Sequence, residues 1–318
     1  MSAKTIAVVG AGLAGLACAR RLVAAGHRVT VFDKARGAGG RIATRRDQRA
    51  AWDHGAQYFT VSDPAFAAVV GAAREAGQVA AWKPRWPGGE QEQRDLWVGV
   101  PGISALPRWL AQGLDVVPET RVTVLGRSGA RWTLVDDRGR SVGGFDAVAL
   151  AVPAPQAAML AAPHSEFAAR LDAVEMAPCW ALMAAFDSPL DVPLDADWSP
   201  DAVLPWMARN SSKPRRSGLD AWVLHADPAW SQARLGADPA DVGAALLARL
   251  GERLATTLPA PVLIEAHRWR YARVMRPLGE PCLLDPAVEL GFCGDWCLDA
   301  RVEAAFLSGE ALARRLGD

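Results

Sequence analysis

The sequence predicts an α/β fold: a Rossmann-like, doubly wound nucleotide-binding domain with an interleaved α+β domain built on an antiparallel sheet. Three observations predict it. The chain opens on an apolar run, Ile6 to Val9, that breaks into Gly10-x-Gly12-x-x-Gly15 and continues as an alanine-rich helix. A second strand, Arg28 to Phe32, ends in Asp33. Near the C-terminus, Val288 to Cys293, the Gly294-Asp295 turn and a helix over Val302 to Leu316 repeat the strand–turn–helix pattern.

Taken in order, Gly10 allows the tight first turn, Gly12 lets backbone approach a pyrophosphate, and Gly15 lets helix and strand pack closely. Ala11, Leu13 and Ala14 in this turn bring free N–H groups and the positive end of the helix dipole to the phosphates. Asp33, with Lys34 after it, stands where an acid grips ribose hydroxyls. Gly39-Gly40 lets backbone crowd the phosphates, and Arg41 supplies a guanidinium fork for anionic oxygens. Neither a bare βαβ turn nor a nicotinamide-binding Rossmann domain requires that third element. The expected ligand is therefore FAD.

Trp52 to Thr60 reads as a short strand and turn, and Asp63-Pro64 starts a helix to about Gly77. Residues 78 to 94, with Trp82, Trp86, two prolines and Gly88-Gly89, look like an excursion to another layer. Arg121 to Leu125 and Arg131 to Asp136 read as a hairpin, and Phe145 to Val152 as a strand returning to the doubly wound sheet. From about 154 to 285 tryptophans and prolines are frequent, with strands at Trp180 to Phe186, Ala221 to Ala226 and Val262 to Arg270 around a helix at Ala240 to Leu258. The expected division is 1–77, 100–153 and 286–318 for the FAD-binding domain, and 78–99 with 154–285 for the substrate domain.

At 318 residues the chain can bury a sizeable core, and 51% hydrophobic with 22% charged content is ordinary for a soluble protein. A net charge of zero gives no reason to expect nucleic acid or an anionic membrane as a partner. Cys18, Cys179, Cys282, Cys293 and Cys297 show neither a CxxC pair nor metal-ligand spacing, which predicts a reduced protein without a metal. The first strand leaves no room for a signal peptide, and no apolar stretch reaches the roughly 20 residues of a membrane span. A cytoplasmic protein acting on small molecules is expected.

Several segments carry a more specific likeness: GAGLAG, DKARGAGGR, DHGAQYFT, VPGISALPRWL, RVTVL, FDAVALAVPAPQ, NSSKPRR, the strand with His225, HRWRYARV, and GDW before the last helix. Together they resemble the flavin-containing amine oxidase superfamily, and within it the renalase branch. The resemblance implies that architecture, shared with p-hydroxybenzoate hydroxylase-like proteins. It implies FAD contacts at Gly10, Gly12, Ala14 and Gly15, ribose binding at Asp33, and phosphate or ribityl contacts at Arg41. Gly55, Ala56 and Gln57 would lie along the isoalloxazine, Val122 against the adenine, and Asp295, beside Gly294, on the ribityl or pyrophosphate. Val302, next to Arg301, would point its N–H at the flavin N1/O2 edge, where a helix N-terminus stabilises negative charge.

Amine-oxidising relatives often place a lysine near flavin N5, and none of Lys4, Lys34, Lys83 and Lys213 sits in a matching segment. The cysteine motif of covalently flavinylated relatives is missing, because Cys297 lies in the turn after Gly294 rather than ahead of it. Non-covalent FAD is expected. A site without an obvious base suits dihydronicotinamides, whose ring nitrogen drives hydride departure, with O2 as acceptor and hydrogen peroxide as product. Gln57, His225, His267, Asn210 and Trp296 are the candidate catalytic residues. Trp180, Trp206, Trp222 and Trp269 could stack on a planar ring or simply fill a core. Asn210 to Arg215 could meet a phosphate or be a solvated loop. The alternatives are an oxidoreductase of amines or unsaturated rings on the same scaffold, and a flavin-fold protein without turnover.

Overall fold

A computed structural model describes residues 3–88 and 95–317. Gly89 and the polar run that follows it to 94 lie outside the described residues. The nucleotide-binding sheet has six strands in the order Leu283–Asp285, Leu290–Phe292, Ala147–Leu150, Thr5–Val9, Arg28–Phe32 and Asp115–Val117. All neighbours run parallel except the first pair. Along Thr5–Val9, Ile6 and Val8 enter the apolar layer under the helices Leu13–Ala24 and Val302–Gly317, while Ala7 and Val9 enter the opposite layer. Both faces are buried, as a parallel sheet requires. The two helices approach closely because Gly309 has no side chain: a Cβ there would stand 2.1 Å from the Ala14 carbonyl oxygen.

The opposite face is covered by a three-stranded antiparallel meander, Val122–Ser128, Arg131–Asp136 and Ser141–Phe145, centred on the fully buried Trp132. This corrects the expectation of one strand over Phe145 to Val152. The chain ends the meander at a register shift, with Gly144 at φ +93°, and only then enters the parallel sheet as Ala147–Leu150. A left-handed φ suits glycine, so the change of sheet falls there.

The second sheet is antiparallel, in the order Ala196–Trp198, Trp206–Arg209, Asp220–His225, Glu175–Phe186 and Leu263–Arg276. Its alternation sorts the side chains. Leu182, Ala184, Trp222 and Leu224 pack beneath the helix Pro239–Leu254 through Val242, Leu246 and Leu250. The other face carries Met183, Ala185 and Val223 against Trp52, and continues into a cleft between the two sheets. One cross-strand row on that face reads Trp206, His225, Ala181, His267. The small Ala181 at its centre keeps the floor open between larger neighbours.

Candidate active site

The cleft holds about 2430 Å³ and runs from the glycine-rich turn to the antiparallel sheet. That exceeds the roughly 300–1,000 Å³ of a single-ligand site. It has room for two ligands.

Its nucleotide half is built from backbone. Gly10 adopts φ +111° with its α-carbon against Ala151, where a Cβ would stand 2.6 Å from the carbonyl oxygen. Gly15 closes the helix onto the strand, since a Cβ there would meet the Gly10 oxygen at 1.9 Å. At Gly12, by contrast, a Cβ would meet nothing within 4 Å, so the absent side chain is space in the cleft. The Gly39 N–H donates to Ala11 O at 2.8 Å, which zips the second glycine pair onto the first turn. Asp33 accepts from the Ala11 N–H at 2.6 Å and from the Ala35 N–H at 2.7 Å, placing its carboxylate on the cleft wall with lone pairs to spare. Lys34, Gly40 and Val122 also line this half. The cradle that Gly12 leaves open, the adjacent helix N-terminus and the acid at the strand end fit the pyrophosphate and ribose of FAD.

The middle of the cleft is braced by ion pairs. The Arg41 guanidinium closes on Asp295, with Nη1 to Oδ2 at 2.8 Å and Nη2 to Oδ1 at 2.5 Å, and Nη1 also donates to Ala272 O. Arg41 is therefore a strut joining the second glycine loop, the Gly294-Asp295 turn and the strand Leu263–Arg276, rather than the free anion fork expected from the sequence. Gly55 packs on the same strut, and the Ala56 N–H donates to Arg41 O at 2.9 Å. Arg301 donates to Thr60 Oγ1 and Ser62 Oγ, and the buried Glu303 carboxylate accepts from the Ser62 and Asp63 N–H groups. These contacts fix the N-terminus of the last helix, with Val302 on the cleft.

The substrate half is built from side chains. Tyr58, Trp86, Trp198 and Trp206 form one aromatic wall, with ring centroids of Tyr58, Trp86 and Trp198 at 5.6, 6.2 and 6.1 Å from Trp206. The facing strand lines the cleft continuously from His267 to Arg273, with His267, Trp269, Tyr271 and Arg273 among its side chains. The Arg273 guanidinium lies 5.6 Å from the Trp198 ring.

Beneath this half lies a polar network whose imidazoles are held toward the neutral form by burial. His225 Nε2 is 3.2 Å from the His54 carbonyl oxygen, which also accepts from Trp269 Nε1 at 2.8 Å. Burial, backed by His267 and Arg45, pushes His54 down to about 4. Burial likewise pushes His225 to about 4, and together with Arg45 it lowers His267. Gln57 Nε2 donates to Asp53 O, and its Oε1 accepts from Lys213 Nζ at 3.2 Å.

Most of the sequence-predicted residues meet at this cleft: Gly10, Gly12, Leu13, Ala14, Gly39, Gly40, Gly55, Ala56, Gln57, His225, His267 and Gly294 all line it. Ala11 and Gly15 act from behind, as a backbone donor and a packing contact. Two candidates are fully buried and hold the fold around the cleft. Asn210 is fully buried, accepting from the Asp53 N–H and donating to Ala51 O at 2.7 Å, so it ties the short turn Asn210–Ser212 to the strand Ala51–Asp53. The Trp296 indole is also fully buried, packed on Gly294 with Nε1 donating to Val152 O at 3.0 Å. Trp296 nevertheless forms part of the cleft wall, together with Gly294 and Asp295. Trp180 and Trp222 belong to the core under the helix, whereas Trp206 and Trp269 face the cleft.

Sequence reasoning missed Tyr58, Arg273 and the buried group of Asp53, Lys213 and Arg216. The segment HRWRYARV, which contains Arg273, was a usable signal for one of these. Nothing local marks Lys213 as buried, because its partner Asp53 lies 160 positions away. Among the described residues no group of three or more His, Cys, Asp or Glu is placed to hold a metal, and no helix is long and apolar enough to cross a membrane.

Residues 8–72 match an NAD(P)-binding Rossmann-like domain, and residues 68–317 match the flavin containing amine oxidoreductase family. An L-amino-acid oxidase of Bungarus fasciatus is 49% identical over 49 residues, 15% of this chain and 10% of its own length. A mitochondrial protoporphyrinogen oxidase of Nicotiana tabacum is 44% identical over 62 residues, 20% of this chain and 12% of its own. The chain thus spans about a tenth of the length of the curated relatives it matches. Whole-chain likeness is to solved structures at 14% identity. One is a protein of Exiguobacterium sp. 255-15 provisionally described as a protoporphyrinogen oxidase, with a TM-score of 0.77 and 100% and 99% of the two chains covered. Another is putrescine oxidase bound to putrescine, with a TM-score of 0.76 and 99% of each chain covered. These likenesses show the shared two-domain fold. With the family match running from residue 68 to 317 over that fold and its nucleotide cradle, the chain belongs to the flavin containing amine oxidoreductase family.

Proposed function

We propose that the protein oxidises a planar, anionic hydride donor of the dihydronicotinamide class, NAD(P)H isomers included, with O2 as acceptor. The Gly10–Gly15 turn, Asp33 and the Gly39-Gly40 pair would hold FAD non-covalently, and the flavin would supply a hydride acceptor whose two electrons, with two protons, convert O2 to hydrogen peroxide. One observation carries the reading: the substrate half pairs aromatic walls with cationic side chains. Arg270 and Arg273 line it together with Lys83, whereas Asp95 is the one acidic residue among its described lining. Aromatic walls alone could cage an amine cation, but the Arg273 guanidinium already lies against Trp198 and repels one. The same charge attracts a phosphate or carboxylate.

The chain's residues then act by placement. Trp206, Trp269 and Tyr271 hold a planar ring by stacking, and Arg273 anchors its anionic group. His225 and His267, neutral at working pH, orient donor and acceptor groups without needing to remove a proton. The runner-up is oxidation of an amine or ring desaturation on this scaffold, in keeping with the family. The test is anaerobic mixing of the oxidised protein with 2- and 6-dihydro isomers of NAD(P), with primary and secondary amines, and with conjugated dienes. Rapid flavin bleaching by a dihydronicotinamide is expected. Bleaching by an amine with none by any dihydronicotinamide rejects the proposal in favour of the runner-up.

A further inference from the structure

Lys213 is 2% exposed, and its ammonium group contacts Asp53, Gln57 and Trp82. It stands 3.3 Å from Asp53 Oδ2 and 3.2 Å from Gln57 Oε1, its Nζ lies 5.3 Å from the Trp82 ring, and Arg216 reaches the same Asp53 oxygen at 2.6 Å. The other Asp53 oxygen accepts from Thr44 Oγ1 and the Ile103 N–H, both at 2.8 Å. Asp53 and the Arg216 side chain are buried too. Two cations therefore share one carboxylate, and the cluster carries a buried surplus of one positive charge.

Leaving such a surplus in the interior is expensive unless an anion answers it. Of the Lys213 contacts, Gln57 and Trp82 both open on the cleft, and Gln57 is the polar one, directly after Gly55 and Ala56, with His225 beside it. We propose that Lys213 is a positioning residue for flavin reduction: through Gln57 it sets a fixed positive charge against the isoalloxazine, favouring the anionic ring produced when two electrons and one proton are taken up. Lys213 itself neither gives nor accepts the hydride. The proposal rests on FAD lying along Gly55 to Gln57, and is independent of which donor reduces it.

The charge is titratable. Burial pushes Lys213 down to about 8, with Asp53 pulling it up and Arg216 lowering it further. The groups facing it are Asp53, Arg216, Gln57, Trp82 and His225, and of these Asp53 is held below the usual carboxylate range by both cations and the Ile103 N–H, against its own burial. The surplus charge is present below the Lys213 midpoint and disappears above it.

The experiment is the midpoint potential of bound FAD, measured by dye equilibration between about pH 6 and pH 10, where a perturbed lysine titrates. No substrate enters, so a failure of the dihydronicotinamide reading leaves this test intact. Lys213→Met should lower the potential at neutral pH and converge with wild type above the Lys213 midpoint, while Lys213→Arg should hold it and remove the extra pH dependence. Equal potentials for wild type and Lys213→Met at neutral pH overturn the proposal. Should the Met variant fail to fold, carbon-13 lysine resonances of the wild type, with only four lysines to assign, give the same answer. Dithionite reduction should raise the Lys213 titration midpoint, and an unchanged midpoint overturns the proposal.

Discussion

The two halves of the cleft are made of different materials. Around the nucleotide, the surface is backbone shaped by missing side chains: Gly10 and Gly15 bring chain against chain, and Gly12 leaves space. Around the substrate, the surface is Tyr58, Trp206, Trp269, Tyr271 and Arg273 projecting from a sheet and its flanking loop. A backbone cradle tolerates little change and binds one cofactor. A side-chain surface can be rewritten one residue at a time while the sheet beneath stays the same, which lets one scaffold serve different donors.

That contrast can be broken by substitution, beginning with the struts that hold both halves. Trp296→Ala removes a fully buried indole and should destabilise the fold by about 3–5 kcal/mol. Urea unfolding checks it, and an unchanged midpoint with weakened substrate binding would return Trp296 to the site. Asp33→Ala should act on the nucleotide half. Two charge-assisted bonds to ribose hydroxyls at about 1.5–3 kcal/mol each imply at least a hundredfold weaker FAD binding. Loss of its caps to the Ala11 and Ala35 N–H groups should lower fold stability by less. Titration of FAD-free protein reads both.

Acid should probe the substrate half. His54 and His225 titrate near 4 in the fold against 6.5 unfolded, so the unfolded chain binds the extra protons in that window. Stability is therefore complete above about 6.5 and falls as pH drops toward 4, by at most about 1.4 kcal/mol per pH unit for each histidine. His225→Gln should flatten that slope, and a slope unchanged by the substitution would show that the histidines are charged in the fold.

The same contrast explains what the sequence revealed. Gly10, Gly12, Gly15, Asp33 and Gly39 to Arg41 are local, because strand, turn and helix follow one another and the glycine spacing states the geometry directly. Arg41 was legible as a cation directly after the second glycine pair yet not as a strut, since Asp295 comes from the other end of the chain. Trp296 followed a turn where ligands gather, but a residue at such a turn can face either way, and Gly294 offers its bare surface to the indole. The row Trp206, His225, Ala181, His267 comes from three registers of strand pairing. Local alternation names the faces of each strand and leaves those registers open.

The most direct test of the charged, aromatic substrate half uses Arg273→Gln with two donors that share one reactive ring. One is a 6-dihydronicotinamide dinucleotide, which carries phosphates, and the other a neutral N-alkyl dihydronicotinamide. Anaerobic stopped-flow bleaching gives a dissociation constant and a limiting rate for each. Loss of one charge-assisted contact, about 1.5–3 kcal/mol, should weaken the dinucleotide at least tenfold and leave the neutral donor unchanged. Equal behaviour of the two donors in wild type and variant would contradict the account.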